Sequence, residues 1–203
     1  ALSRALSRVQ LLALPLILLL GSCAAGHHAG AGLKYEKAGN HFAAGNHYLA
    51  ALNHDAAHPS AKAGLNRVVE NAYLEQRANA QSLENQQDYP GALNAWIALE
   101  RFLTGARAHQ TRMSFKTVRV KERITEMRGE AARQTFDRAE NFSREKRFEE
   151  AIQQYRLSEK YAAREFNDSQ KRIADAFVSW SNVLVKDGHF RDGAAKALAA
   201  KQH

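Results

Sequence analysis

Nine His and a single Cys are the side chains of this 203-residue chain best suited to chemistry. His54 and His58 stand at i, i+4 with Asp55 between them, and His41 and His47 are close by in sequence, so a pair of imidazoles on one helix face is geometrically feasible. The string His54-Asp55-Ala56-Ala57-His58 nevertheless lacks the Glu after the first His that a zincin helix needs, and His58 is expected at a helix C-terminus, where an imidazole is favourable anyway. The His residues are therefore read as structural or solvent-facing, with a metal-binding module only a third-ranked reading. No Gly-x-Ser-x-Gly elbow and no Gly-rich phosphate loop followed by Lys occurs, and the acidic residues are scattered. Neither catalysis nor a cofactor is expected.

Cys23 has a more specific context. Arg4 and Arg8 precede an apolar run from Val9 to Leu20, broken only by Gln10, and small residues follow. A basic start, an apolar stretch of about 12 residues and small residues near a cleavage point make a secretory signal. The run is well short of the roughly 20 residues that cross a bilayer core. Leu20-Gly21-Ser22-Cys23 resembles the lipobox of bacterial lipoproteins, in which a signal peptidase cuts before a Cys whose thiol has been acylated.

That resemblance implies a signal peptide over 1–22, peptidase recognition through Leu20, Gly21 and Ser22, and lipidation of Cys23. It would also explain a lone Cys in an exported, oxidising setting. An uncleaved signal anchor and cleavage after Ala24 or Ala25 are the alternatives. In such lipoproteins Asp after the Cys commonly retains the protein at the inner membrane, and Ala24 here implies the outer membrane, facing the periplasm. Residues 23–32, with Gly26-His27-His28-Ala29-Gly30-Ala31-Gly32, read as a lipidated Cys and flexible tether. The folded domain is expected over 33–203.

The elements of that domain are helices. Pro occurs in it only at Pro59 and Pro90, and no alternating run marks a strand, so the body is all-α. Aligning on Tyr48, Tyr89, Phe148 and Phe190 exposes an internal repeat. Nine residues earlier lie Gly39, Ala80, Ala139 and Ser181; six earlier lie Phe42, Leu83, Phe142 and Leu184. Three later lie Ala51, Ala92, Ala151 and Gly193, and turn-like residues such as Gly45-Asn46-His47 and Asp187-Gly188-His189 precede each anchor. Small residues that let two antiparallel helices approach, with bulky ones filling the gaps, describe a helical hairpin that must stack on neighbours to bury its apolar face.

The pattern resembles the tetratricopeptide repeat (TPR), best in the second and third units, where Trp96 and Tyr155 follow Tyr89 and Phe148 by seven residues. The resemblance implies an α-solenoid of about four hairpins. Asp55 in the first unit and Gly193 and Ala197 in the fourth depart from the pattern. So do the anchor spacings of 41, 59 and 42 residues, against about 34 in the family. Longer helices follow, near 34–45, 47–58, 60–86, 89–105, 113–146, 148–165, 168–187 and 190–201, with extra chain between the second and third units. Because Gln202-His203 follows the last small positions without a polar capping helix, a longer natural array is expected.

Charge is uneven. Lys and Arg number 29 against 21 Asp and Glu, a net +8, and residues 105–133 hold 8 basic and 3 acidic side chains. On a helix there, Val120, Ile124, Met127, Ala131 and Phe142 would face inward. Arg112, Lys116, Arg119 and Arg123 would form a separate basic stripe for an acidic partner, lipid headgroups or cell-wall polymer. A solvated face, partly neutralised by Glu122 and Glu126, is the favoured reading of that stripe. Nucleic acid is not an expected partner, since the signal exports the chain and no aromatics interleave the basic residues. Trp96, Tyr155 and Trp180 are read as inter-helix core before groove lining.

Together these readings imply a lipid-anchored TPR scaffold or adaptor at the periplasmic face of the cell envelope. It would bind other envelope proteins or peptide segments in a groove formed by the first helices of successive hairpins. Pilus-secretin pilotins, barrel-assembly partners and adaptors for cell-wall enzymes are among the roles such lipoproteins fill. The alternative is an envelope-polymer or membrane-surface binder acting through residues 105–133.

Overall fold

Four turns among the described residues close with the same hydrogen bonds. In a computed structural model that describes residues 23–117 and 119–203, a helix ends at each of them and its successor begins four residues later. The pairs are α1 (23–37) with α2 (His41–His54), α3 (Pro59–Asn85) with α4 (Tyr89–Ala108), α5 (Val120–Arg144) with α6 (Phe148–Ala162), and α7 (Ser169–Lys186) with α8 (Phe190–Ala200). All regular structure among the described residues is helical, and none of these helices is long and apolar enough to cross a membrane.

Each turn places its left-handed residue two positions before the next helix: Gly39 (φ 76°), Gln87 (φ 60°), Lys146 (φ 60°) and Gly188 (φ 82°). The following N–H reaches back to the carbonyl of Tyr35, Leu83, Phe142 or Leu184 at 2.8–3.0 Å, which satisfies carbonyls that a helix end leaves open. In two of the turns the new helix is capped by a side chain, Asn40 Oδ1 accepting from Ala43 N and Asp88 Oδ1 from Gly91 N, both at 3.0 Å.

This recurrence corrects the first unit of the sequence repeat by seven residues. Gly45-Asn46-His47 lies inside α2 and is no turn; the turn is at 38–40, and the residue equivalent to Tyr89, Phe148 and Phe190 is His41. Gly39, read as a small packing residue, is the exposed turn residue. The buried small positions are Gly32 and Ala44, matching Ala80 and Ala92, Ala139 and Ala151, Ser181 and Gly193. Tyr48 then takes the place of Trp96 and Tyr155, and all three are at most 2% exposed. Seven residues are nearly two full turns, so the shifted alignment still sampled the same helix face.

The segment expected to be a tether is helical. Ala25, Ala29 and Gly32 are buried along one side of α1, so residues 23–32 belong to the fold and the folded part does not begin at 33. Glycine disfavours an isolated helix, but packing overrides propensity where small residues permit close approach. Residues 1–22, with Leu20, Gly21 and Ser22, lie outside the described residues.

α5 begins at Val120, not at 113. Residues 111–117 are irregular: Phe115 stacks on Tyr73 of α3 at 4.9 Å, and the Arg112 N–H donates to Asn66 Oδ1 at 3.3 Å. This stretch supplies part of the longer middle spacing, and α4 and α5, at 20 and 25 residues against 15 and 18 for α6 and α7, supply the rest.

The chain divides into two units. The first comprises the described residues up to Ser82 with Asn94–Val120. Its core holds Tyr48, whose ring lies against Gly32 of α1 and Gly64 of α3, and Phe102, which lies against Gly45 and makes an edge contact with Phe42 at 5.5 Å. The buried Gln76 amide donates to Ala95 O at 2.9 Å. The second unit comprises Leu83–Leu93 with Lys121–His203. Phe136, Ala139, Phe148, Ala151, Ile152, Tyr155, Ile173 and Ala176 form its core, α6 packs on α7, and α7 packs on α8. Val120 and Met127 are 7% and 5% exposed and Ala131 is fully buried, whereas Ile124 and Phe142 are half-buried, so the stripe that the periodicity indicates on α5 is inward in part.

Candidate interaction site

Within each unit a Tyr, a Glu and an Arg tie three consecutive helices together. In the first, Tyr48 of α2 donates to Glu36 Oε2 of α1 at 2.5 Å, and Arg67 of α3 grips both carboxylate oxygens at 2.8 and 2.9 Å. In the second, Tyr155 of α6 donates to Glu140 Oε1 of α5 at 2.6 Å, and Arg172 of α7 approaches the same oxygen at 3.3 Å. The two-pronged Arg67 contact is the stronger geometry. It holds the Glu36 carboxyl below the usual carboxylate range, while burial and then the bond to Glu36 push the Tyr48 phenol up to about 12. Burial, then Glu140, raises Tyr155 likewise. Phenols this reluctant to ionise donate structural hydrogen bonds; they do not act as bases near neutral pH.

These junctions were invisible in the sequence. Tyr48 and Tyr155 belong to the repeat, but their carboxylates stand 12 residues away in one case and 15 in the other, so no fixed motif marks them.

The second unit carries a surface cavity of about 180 Å³ lined by α6 (Glu149, Ile152, Gln153, Arg156), α7 (Phe177, Trp180) and α8 (Lys196). A groove formed by first helices is expected from the sequence, but of the helices lining this cavity only α7 is the first of its hairpin, and α6 and α8 are second helices. Trp180, read as core, packs against the core of the second unit and is half-buried, with the Lys196 ammonium 3.6 Å from its ring centre. Arg156 contacts the His203 imidazole at 3.3 Å, and that ring also stacks on Phe177 at 6.0 Å. The cavity thus sets two cations, Arg156 and Lys196, and one carboxylate, Glu149, around aromatic rings on which Lys196 and His203 rest.

The basic residues do not form a helix stripe. Arg112, Lys116 and Arg119 are exposed but precede α5, so the i, i+4, i+7 geometry is absent. Arg123 alone is helical, and it pairs with Glu84 and Glu126. Arg112 lines a shallow cavity of about 530 Å³ with Asn66, Gln110 and Ser114.

His54 is the last residue of α2, whereas His58 precedes α3, with its Nδ1 3.4 Å from the Ala61 N–H. The two therefore do not share a helix, and His58 caps an N-terminus, not a C-terminus. Among the described residues no group of three or more His, Cys, Asp or Glu is arranged to hold a metal ion. Cys23 is exposed and unpaired.

The chain matches no protein-family model, and no curated protein or solved structure shows significant similarity to it.

Proposed function

We propose that this chain is a non-catalytic, lipid-anchored scaffold of TPR-like helical hairpins that binds other proteins of the bacterial envelope. The observation that carries the reading is the recurrence of one turn geometry, with left-handed residues at Gly39, Gln87, Lys146 and Gly188 and a buried small residue following each. A chain that repeats a hairpin spends its length on surface and not on one enclosed site. The α6–α8 cavity is the binding surface, with Phe177 and Trp180 as apolar anchors and Arg156 and Lys196 selecting acidic segments. Cys23 carries the lipid, and the outer membrane facing the periplasm is the location that Ala24 favours.

Crosslinking and affinity capture of the full-length protein from its own envelope test this directly. A defined set of envelope proteins should be recovered and should disappear with Trp180→Ala combined with Arg156→Glu. Mass spectrometry should find an acyl mass on Cys23, and an unmodified thiol would refute the anchor.

The alternative, a polymer or membrane-surface binder acting through residues 105–133, draws support from the exposure of Arg112, Lys116 and Arg119, none of which has an acidic partner among the described residues. Changing those three to Glu together with Arg123→Glu should then abolish low-salt sedimentation with anionic vesicles or peptidoglycan.

A further inference from the structure

Four imidazoles meet where α1 crosses α2. His28 of α1 stacks on His54 of α2, with centres 5.5 Å apart; it lies 5.8 Å from His47 of α2 and 5.7 Å from its neighbour His27. Tyr35, one helical stretch further along α1, stacks on His47 at 5.0 Å. His28 Nδ1 is buried and has no hydrogen-bond partner.

We propose that His28, seated against His47 and His54, is a proton-operated latch: as a neutral imidazole it lets the N-terminal half of α1 lie on α2, and a proton on it lifts that half away.

The charged form has little to hold it there. The groups acting on His28 are three other imidazoles, His54, His47 and His27, and each of them disfavours a proton on His28. From α3 the cation that reaches α1 is Arg67, and it is committed to Glu36; from α4, His109 reaches α2 at Asn53, 3.0 Å away. Burial first, and these imidazoles next, hold His28 below its ordinary value of 6.5. A base whose proton affinity is lower when folded favours the folded contact above that ordinary value, and the contribution is lost as pH falls through the lower folded value.

The apolar hold on this half of α1 is slight, because its buried side chains are Ala25 and Ala29, with Gly32 offering only backbone to Tyr48. At the other end, Glu36 stays ionised well into acid because Arg67 grips it. The helix would therefore hinge near Glu36 and uncover the Tyr48 ring beneath Gly32. This inference is independent of the scaffold reading.

Hydrogen exchange on the full-length protein, read by mass spectrometry and corrected for intrinsic rates, tests the latch. Between about pH 7.5 and about pH 5.5, protection over residues 23–32 should fall at least about twofold, outside replicate error, while that of α3 holds. His28→Leu should retain protection at both pH values. Because His54 is exposed, His54→Gln gives a variant that leaves the core intact, and it should reduce the fall part-way. Unchanged protection in the wild type, or the same fall in both variants, would overturn the proposal.

Discussion

The Tyr48 hydroxyl and the Glu36 carboxylate are joined by a 2.5 Å hydrogen bond across two helices, and Arg67 closes the contact from a third. Tyr155, Glu140 and Arg172 repeat it in the second unit. Removing the donor while keeping the ring tests what the bond contributes. Tyr48→Phe and Tyr155→Phe should each lower unfolding stability by about 1 kcal/mol in denaturant titrations. A loss below a few tenths would mean that ring packing alone fixes these helices.

Glu36 also predicts an acid limb. Its carboxyl is held below the usual range by Arg67, so its stabilising contribution is complete above the ordinary carboxylate pKa and is lost as pH falls through the lower folded value. Arg67 is 53% exposed, and screening keeps the pair to about 1 kcal/mol or less. Glu36→Gln should flatten stability against pH below about pH 5, at low ionic strength, relative to wild type. An acid limb of unchanged steepness would assign the effect to other carboxylates.

Gly64 faces the Tyr48 ring so closely that a Cβ there would sit 2.3 Å from Cζ. Neither a helix backbone nor a buried ring yields cheaply. Gly64→Ala should destabilise by about 2 kcal/mol. Combined with Tyr48→Leu, which removes the obstructing ring, the loss should be less than the sum of the two single changes by about 1 kcal/mol. Strict additivity would mean that the ring and Gly64 are not in contact.

The four turns allow a reciprocal test. Lys146 takes a left-handed conformation at φ 60°, and Lys146→Gly should raise the thermal midpoint through a gain of about 0.5–1 kcal/mol. Gly188 is at φ 82° with open space where a Cβ would go, so Gly188→Ala should cost about 1 kcal/mol through backbone strain alone. Opposite signs are required; two changes in the same direction would contradict the shared turn geometry.

Three of the four hairpins were legible because Tyr89, Phe148 and Phe190 open helices after turns whose residues announce themselves. The first was misplaced because Gly45-Asn46-His47 resembles a turn and because a seven-residue slip keeps the same face. Burial of Gly45 against Phe102 stabilises as helix a stretch that local preference reads as a break. The start of α5 was missed for the complementary reason. Helix-like spacing of Arg112, Lys116 and Arg119 said nothing of Phe115, whose ring is stacked on Tyr73, 42 residues earlier.

Sequence by itself determined the helical class, the small positions at Ala80, Ala92, Ala139 and Ala151, and the buried aromatics Trp96 and Tyr155, because periodicity and side-chain volume are local properties. Only the tertiary structure decided that α1 is part of the fold, that Glu36 and Glu140 accept from tyrosines, that the basic residues of 112–123 do not line up, and that His28 meets His47 and His54. Each of these depends on which side chains face one another across helices, and that is fixed by how closely small residues allow the backbones to approach.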